Sequence, residues 1–117
     1  MITRESGNFT PEEKFRMLNG KCDTLKKHVG IVDDVTGYAY EPGSEQDDTP
    51  SILYIAFKVE GIIATTSPTV IRTFFAMCEA FGDPTEEKPL KGVGVLEKDN
   101  TRGTRQFLDI DFVKSGN

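Results

Sequence analysis

Hydrophobic positions between residues 67 and 82 repeat at helical spacing. Two apolar rows lie side by side on this segment: Val70, Phe74, Met77 and Phe81 in the first, and Ile71, Phe75 and Cys78 in the second. Ser67 supplies an N-cap oxygen, Pro68 fits the first helical position, and Gly82 favours the left-handed conformation that ends a helix. The pattern predicts one apolar helix, covered by the rest of the chain on most of its sides.

Apolar and polar residues alternate elsewhere, as is typical of half-buried β-strands. The clearest strand is predicted at residues 51–61, with the core face formed by Leu53, Ile55, Phe57 and Val59 and the opposite face by Tyr54, Ala56 and Lys58. Four more strands are predicted at residues 24–40, 62–66, 90–98 and 106–113. Two glycines, Gly30 and Gly37, are expected to bend the long first strand.

A short helix is predicted ahead of the strands, because Thr10 and Glu13 have the spacing of a capping box and Pro11 fits the first helical position. Its Phe15 and Leu18 are expected to face the domain. The segment before it, residues 1–9, is predicted to be a mobile lead-in, and residues 114–117 a tail. A chain of 117 residues is predicted to be a single domain, 1–117.

The net charge of -5 is unevenly distributed, since acids accumulate between residues 33 and 60. Residues 41–50 combine two prolines, a glycine and four acids, which predicts an exposed, mobile loop. A net negative chain binds nucleic acid only through a local positive surface. Neither a membrane-spanning apolar run nor the apolar core of a signal peptide is present in the sequence, so we expect a cytoplasmic protein without a membrane partner.

Catalytic and metal-binding patterns are weak. His28 is the single histidine, and with Cys22 and Cys78 it does not make up a zinc ligand set. The carboxylates of Asp109 and Asp111 share one strand face, where they suit Mg²⁺, with Asp33 and Asp34 as further ligands, but such acids more often protect an edge strand from aggregation. The sequence has no phosphate-binding glycine loop and no framed nucleophile. We therefore predict a non-enzymatic protein with no catalytic residue, metal or cofactor.

The element order is three strands, a helix and two strands, with a bent first strand and a fourth strand interrupted by Gly92 and Gly94. With the last strand, residues 106–112, this layout resembles the small OB-fold proteins of bacteriophages, several of which bind single-stranded DNA. The resemblance implies a five-stranded barrel with one helix between its third and fourth strands, a viral or prophage origin, and a role in DNA replication or recombination. It also implies binding on the outer face of the first three strands and their loops. The acidic loop 41–48 and the lack of an acidic tail depart from that pattern.

Eight residues are candidates for a nucleic-acid-binding surface: Tyr38, Tyr40, Tyr54, Phe107, Lys58, Lys98, Arg102 and Arg105. The aromatic rings would stack on bases, and the cations, together with Lys26 and Lys27, would contact phosphates. The alternative is that these rings are half-buried in a barrel wall and the cations are ordinary solvated charges.

Two functions remain open from the sequence. The first is sequence-nonspecific binding of single-stranded nucleic acid, DNA or RNA. The second is an acidic protein-interaction module, in which the loop 41–48 imitates phosphates and engages a host or replication protein to inhibit or regulate it. The first requires cations clustered on the tyrosine face, and the second requires the acids to form the dominant patch.

Overall fold

The structure is a computed structural model that describes residues 1–99 and 106–113. Its elements in chain order are β1 (Arg4–Ser6), α1 (Pro11–Leu18), β2 (Asp23–Thr24), a 3-10 helix (Leu25–His28), β3 (Val32–Glu41), β4 (Ile52–Phe57), β5 (Gly61–Thr65), α2 (Pro68–Phe81), β6 (Leu90–Asp99) and β7 (Gln106–Phe112). The predicted β-rich mixed class is confirmed. The described residues form seven strands, whereas five were predicted.

All seven strands belong to one curled sheet with the order β2-β5-β4-β3-β6-β7. The central strand, β3, pairs with β4 on one side and, on the other, with β6 over its first half and β1 over its second half. The register shifts around Val35 on both sides of β3, so the predicted bend is present. At Gly37 a Cβ atom would lie 2.6 Å from the Ser6 carbonyl oxygen, so only glycine lets β1 pair there.

The predicted central helix is confirmed as α2, with the Val70 N–H donating to the Ser67 side-chain oxygen at 3.3 Å and Gly82 at a φ of 90°. Its buried row joins the main core between the helix and the concave face of the sheet, and consists of Val70, Phe74, Met77 and Cys78. The expectation that the helix is covered on most sides is wrong, since Phe81 is 71% exposed. A sheet that curls around one face of a helix leaves the other face in water.

The predicted strand at residues 24–40 is divided into two. The chain pairs with β5 over the two residues of β2 and then turns through the 3-10 helix, which inserts Leu25 into the main core. Gly30 follows at a φ of 97°, and β3 begins at Val32. Burial of Leu25 in the main core overrides the β-like alternation of this segment.

The first 22 residues, called here the N-terminal arm, cross the outer face of the sheet. The capping box of α1 is confirmed by hydrogen bonds in both directions between Thr10 and Glu13. The predicted contact face of α1 is wrong, because Phe15 and Leu18 are exposed and Met17 is buried. The lead-in at residues 1–9 contains β1, which pairs with β3. The arm contributes Met17 to a second apolar cluster with Ala39 and Tyr54.

The acidic loop between β3 and β4 is exposed, as predicted. Ser44 and Thr49 exchange two backbone hydrogen bonds of 3.0 Å, and the Ser51 side chain accepts the Gly43 N–H. Residues 42–50 therefore form a closed hairpin turn, called here the acidic turn, in place of the irregular loop expected from composition.

Candidate nucleic-acid interface

The tyrosine platform predicted on the outer face is divided between two faces of the sheet. Tyr54 lies opposite Ala39 across β3 and β4, so Tyr54 projects to the outer face while Tyr38 and Tyr40 project to the concave face. Tyr38 is fully buried with its ring 5.2 Å from that of Phe74. The three tyrosines cannot form one stacking surface. Counting residues across the paired strands would have shown this, but the register was not known from sequence.

Tyr54 does lie on the predicted face, but it is only 3% exposed because α1 covers it. Its hydroxyl donates to the Met17 carbonyl oxygen at 2.9 Å, and burial raises the pKa of the phenol. The ring is thus a fixed, uncharged part of the wall.

Tyr40 is half-buried on the concave face. Its ring packs edge-on against Phe75 with the ring centres 5.1 Å apart, and the Arg4 guanidinium lies 4.5 Å from the Phe75 ring centre. This contact attaches β1 to α2 by a cation–π interaction. Tyr40 therefore contributes to the packing of α2 on the concave face of the sheet.

The predicted cations and Phe107 also lie in different parts of the structure. Lys98 and Phe107 lie directly opposite each other on β6 and β7, and the Lys98 ammonium is 3.3 Å from the Asp109 carboxylate. Lys58 is exposed just beyond the far end of β4. Arg102 and Arg105 lie outside the described residues. Of the eight candidates, the described part of the chain brings only Lys98 and Phe107 into a direct pair that remains partly exposed.

A cleft of about 480 Å³ opens beside Tyr54, in the gap between β5 and β7, and is called here the seam cleft. The wall is mainly apolar and is formed by Leu25, Ile52, Tyr54, Ala64 and Leu108. Cleft volumes of several hundred Å³ are typical of sites for small ligands. Sequence reasoning missed this cleft because its walls come from β2, β4, β5 and β7, which are far apart in the chain.

Polar groups of the seam cleft lie at the start of α2 and on the 3-10 helix. The Thr65 side-chain oxygen accepts the Ser67 N–H at 3.1 Å, and the Ser67 side-chain oxygen accepts the Val70 N–H at 3.3 Å. Thr66 and Lys26 are exposed and line the same cleft. The arrangement provides an apolar slot with hydroxyl groups and one cation beside it.

Both thiols are free in the structure. Cys22 lines the seam cleft, and burial raises its pKa. Cys78 belongs to the buried row of α2, where burial and the nearby Asp83 raise its pKa to about 12. Since the thiolate is the reactive form of cysteine, neither position favours nucleophilic chemistry.

The carboxylates considered for Mg²⁺ are used as hydrogen-bond acceptors. Asp109 and Asp111 accept the N–H groups of Ile110 and Phe112 along β7, and Asp109 also accepts the Thr73 hydroxyl at 2.8 Å. Within residues 1–99 and 106–113 no group of three or more potential ligands is positioned for a metal ion. Asp111 is exposed on β7, the last strand of the sheet, as the edge-protecting alternative expects, whereas Asp109 is only 8% exposed and contacts Thr73 and Lys98.

Comparison with known proteins gives no relative: the chain matches no family model, no curated protein and no solved structure. In the described ranges, no helix is both long and apolar enough to cross a membrane. The function is therefore considered from the geometry of the chain itself.

Proposed function

We propose that this chain binds single-stranded nucleic acid, DNA or RNA, with one base in the seam cleft and the adjoining phosphate beside Lys26. The observation that carries the proposal is the position of the cleft. It opens on the outer face of β4 and β5, which correspond to the second and third of the five strands predicted from sequence. OB-fold proteins bind oligonucleotides on that face of their barrels.

The strand order supports an OB-like barrel that is partly open. β3 lies between β4 and β6, and α2 connects β5 to β6, as the predicted layout requires. The edge of β5 is occupied by β2, and β7 pairs with β6. The gap left between β5 and β7 contains the seam cleft, with Leu108 of β7 in its wall.

The chemistry of the cleft suits a nucleotide. A base is planar and largely apolar on its faces, so it packs against Ile52, Ala64 and Leu108, while the hydroxyl of Thr66 is available to its polar edge. Lys26 is exposed beside the cleft, where a phosphate would lie. Base packing of this kind contributes about 1 to 3 kcal/mol per base and depends little on sequence.

Anisotropy titrations of labelled oligo-dT over a series of salt concentrations test the phosphate contact. Lys26→Ala should weaken binding and reduce the salt slope by about 0.7, the value for one lost phosphate contact on a single strand. Lys27→Ala is the matched control, because Lys27 is exposed on the same 3-10 helix and does not line the cleft. Equal effects of the two substitutions would place the phosphate elsewhere.

A second pair of variants tests the base site. Ala64→Leu fills the cleft and should weaken binding by about 5- to 150-fold, the equivalent of about 1 to 3 kcal/mol, with an unchanged salt slope. Ala56→Leu is the control, since Ala56 lies on the neighbouring strand outside the cleft. A folded wild type that fails to bind oligo-dT at low salt and high protein concentration would refute the proposal.

The acidic protein-interaction module remains a second candidate, because Glu45, Asp47 and Asp48 are exposed on the acidic turn and form no ion pair with another described residue. Neutralising all three should abolish binding of a protein partner and tighten any binding of nucleic acid by removing repulsion. If the triple substitution changes neither protein binding nor nucleic-acid binding, the acidic turn has no part in either function.

A further inference from the structure

Exposed apolar side chains gather at the end of β4 that lies opposite the acidic turn. Val32, Val59 and Phe112 line a concavity of about 670 Å³, and the Phe81 ring extends it, 5.0 Å from the Phe112 ring. Val59 is 81% exposed. A contiguous group of exposed apolar side chains is typical of interaction surfaces, whereas single ones are ordinary.

Two lysines, Lys58 and Lys91, line the same concavity, called here the lysine-rimmed concavity. Among the described residues neither lysine forms an ion pair. Asp33 and Asp34 also line it, but Asp33 accepts three backbone N–H groups and Asp34 accepts that of Gly92. The two carboxylates balance the formal charge of the two lysines in the lining, but they are held by backbone donors and not by the lysines, so the ammonium groups can each pair with an external carboxylate.

The acidic turn has the complementary chemistry. Glu45, Asp47 and Asp48 are exposed on it, and the exposed Pro42 and Pro50 flank them with rigid apolar surface. Its two backbone hydrogen bonds between Ser44 and Thr49 fix its shape before any contact, which lowers the entropic cost of docking. The six residues of β4 separate the turn from the concavity by about 20 Å, so the two surfaces of one chain do not meet.

We propose that the acidic turn of one copy docks into the lysine-rimmed concavity of a second copy. The acids of the turn meet Lys58 and Lys91, and the prolines pack on Val59 and Phe112. Because the two surfaces differ and lie at opposite ends of β4, a single contact is heterologous and leaves one free surface at each end of the pair, so further copies extend an open chain or close a ring of more than two chains. This contact does not require nucleic acid, so it is tested by the mass of the protein alone in solution.

Sedimentation equilibrium over a concentration series tests this contact. At low salt the average mass should rise above the 13.0 kDa of one chain without a plateau at two chains, and it should return to 13.0 kDa at high salt as the ion pairs are screened. A wild type that stays at 13.0 kDa at millimolar concentration and low salt would overturn the proposal, and would leave the concavity to a different partner. A plateau at two chains would indicate a two-fold dimer in which both turns dock at once, and would overturn the propagating assembly.

Two variants, each lacking the charged side chains of one surface, identify the surfaces that form the contact. Lys58→Ala with Lys91→Ala removes the cations of the concavity, and Glu45→Gln with Asp47→Asn and Asp48→Asn removes the acids of the turn. Each variant alone should stay at 13.0 kDa, and an equimolar mixture should give a mass of two chains and no more, because each chain then has one intact surface. The control, Lys21→Ala with Lys27→Ala, changes two exposed lysines outside both surfaces and should associate like the wild type. A mixture that stays monomeric, or variants that associate normally, would contradict the inference.

Discussion

The helices α1 and α2 begin in the same way and end in different environments. Each has a hydroxyl N-cap followed by proline, Thr10-Pro11 and Ser67-Pro68, and each was located from sequence. Yet α2 buries four side chains in the main core, whereas α1 buries only Met17, in the smaller cluster. The N-cap and proline residues thus indicate where a helix begins, but not how strongly tertiary packing stabilises it.

The largest difference is expected between Phe74 of α2 and Phe15 of α1. Phe74 is fully buried among the sheet residues, so Phe74→Ala should lower the free energy of unfolding by about 3 to 5 kcal/mol. Phe15 is 60% exposed, and Phe15→Ala should change stability by less than about 0.5 kcal/mol. Urea denaturation measures both. Similar losses at the two positions would show that α1 is packed as firmly as α2.

An intermediate effect is expected at Met17, the single buried residue of α1. Met17→Ala should cost about 2 kcal/mol, at the low end of the range for buried methionine, because the cluster around it is small. Hydrogen exchange should quicken in residues 11–18 while amides of α2 stay protected. The exposed neighbour is the control: Leu18→Ala should leave exchange unchanged. Loss of protection in both helices would mean that the arm and the core unfold together.

The last effect is absent at neutral pH and concerns the two thiols, Cys22 just after α1 and Cys78 on the buried face of α2. The pKa of Cys78 is raised to about 12 by burial, so its contribution to stability is complete below its usual pKa of about 8.5 and is lost as the pH rises toward about 12. Between those pH values the free energy of unfolding falls by at most about 1.4 kcal/mol per pH unit through this thiol.

Cys78→Ala should remove this slope from urea denaturation curves recorded between neutral and alkaline pH. The pKa values of Tyr38 and Tyr54 are also raised by burial, but both phenols are present in each protein and cancel in the difference. Cys22 is half-buried and should react with a thiol reagent before Cys78. An identical pH slope in wild type and variant would show that Cys78 does not ionise in this range.

Local signals in the sequence determined much of the fold. The caps predicted both helices to within a residue or two, and alternation gave Leu53, Ile55 and Phe57 their common core face. Val59 was predicted on that face as well, but β4 ends at Phe57 and Val59 is 81% exposed. The acids of the last strand were assigned to edge protection as one alternative, which the exposure of Asp111 fits and the burial of Asp109 does not. These features depend on residues within a few positions of each other, so their physics is contained in short stretches.

Only the tertiary structure decided which surfaces are accessible. Tyr54 lies on the outer face of β4, as the alternation predicted, but Met17, 37 positions earlier in the chain, covers it. A hydrogen bond from the Tyr54 hydroxyl to the Met17 carbonyl oxygen fixes this contact. Tyr38 and Tyr54 are on opposite faces because of the β3–β4 register, and the seam cleft exists because β2, and not β7, pairs with β5. Period-two alternation defines two faces of each strand, but the segment that covers a face comes from distant parts of the chain, and no local pattern specifies it.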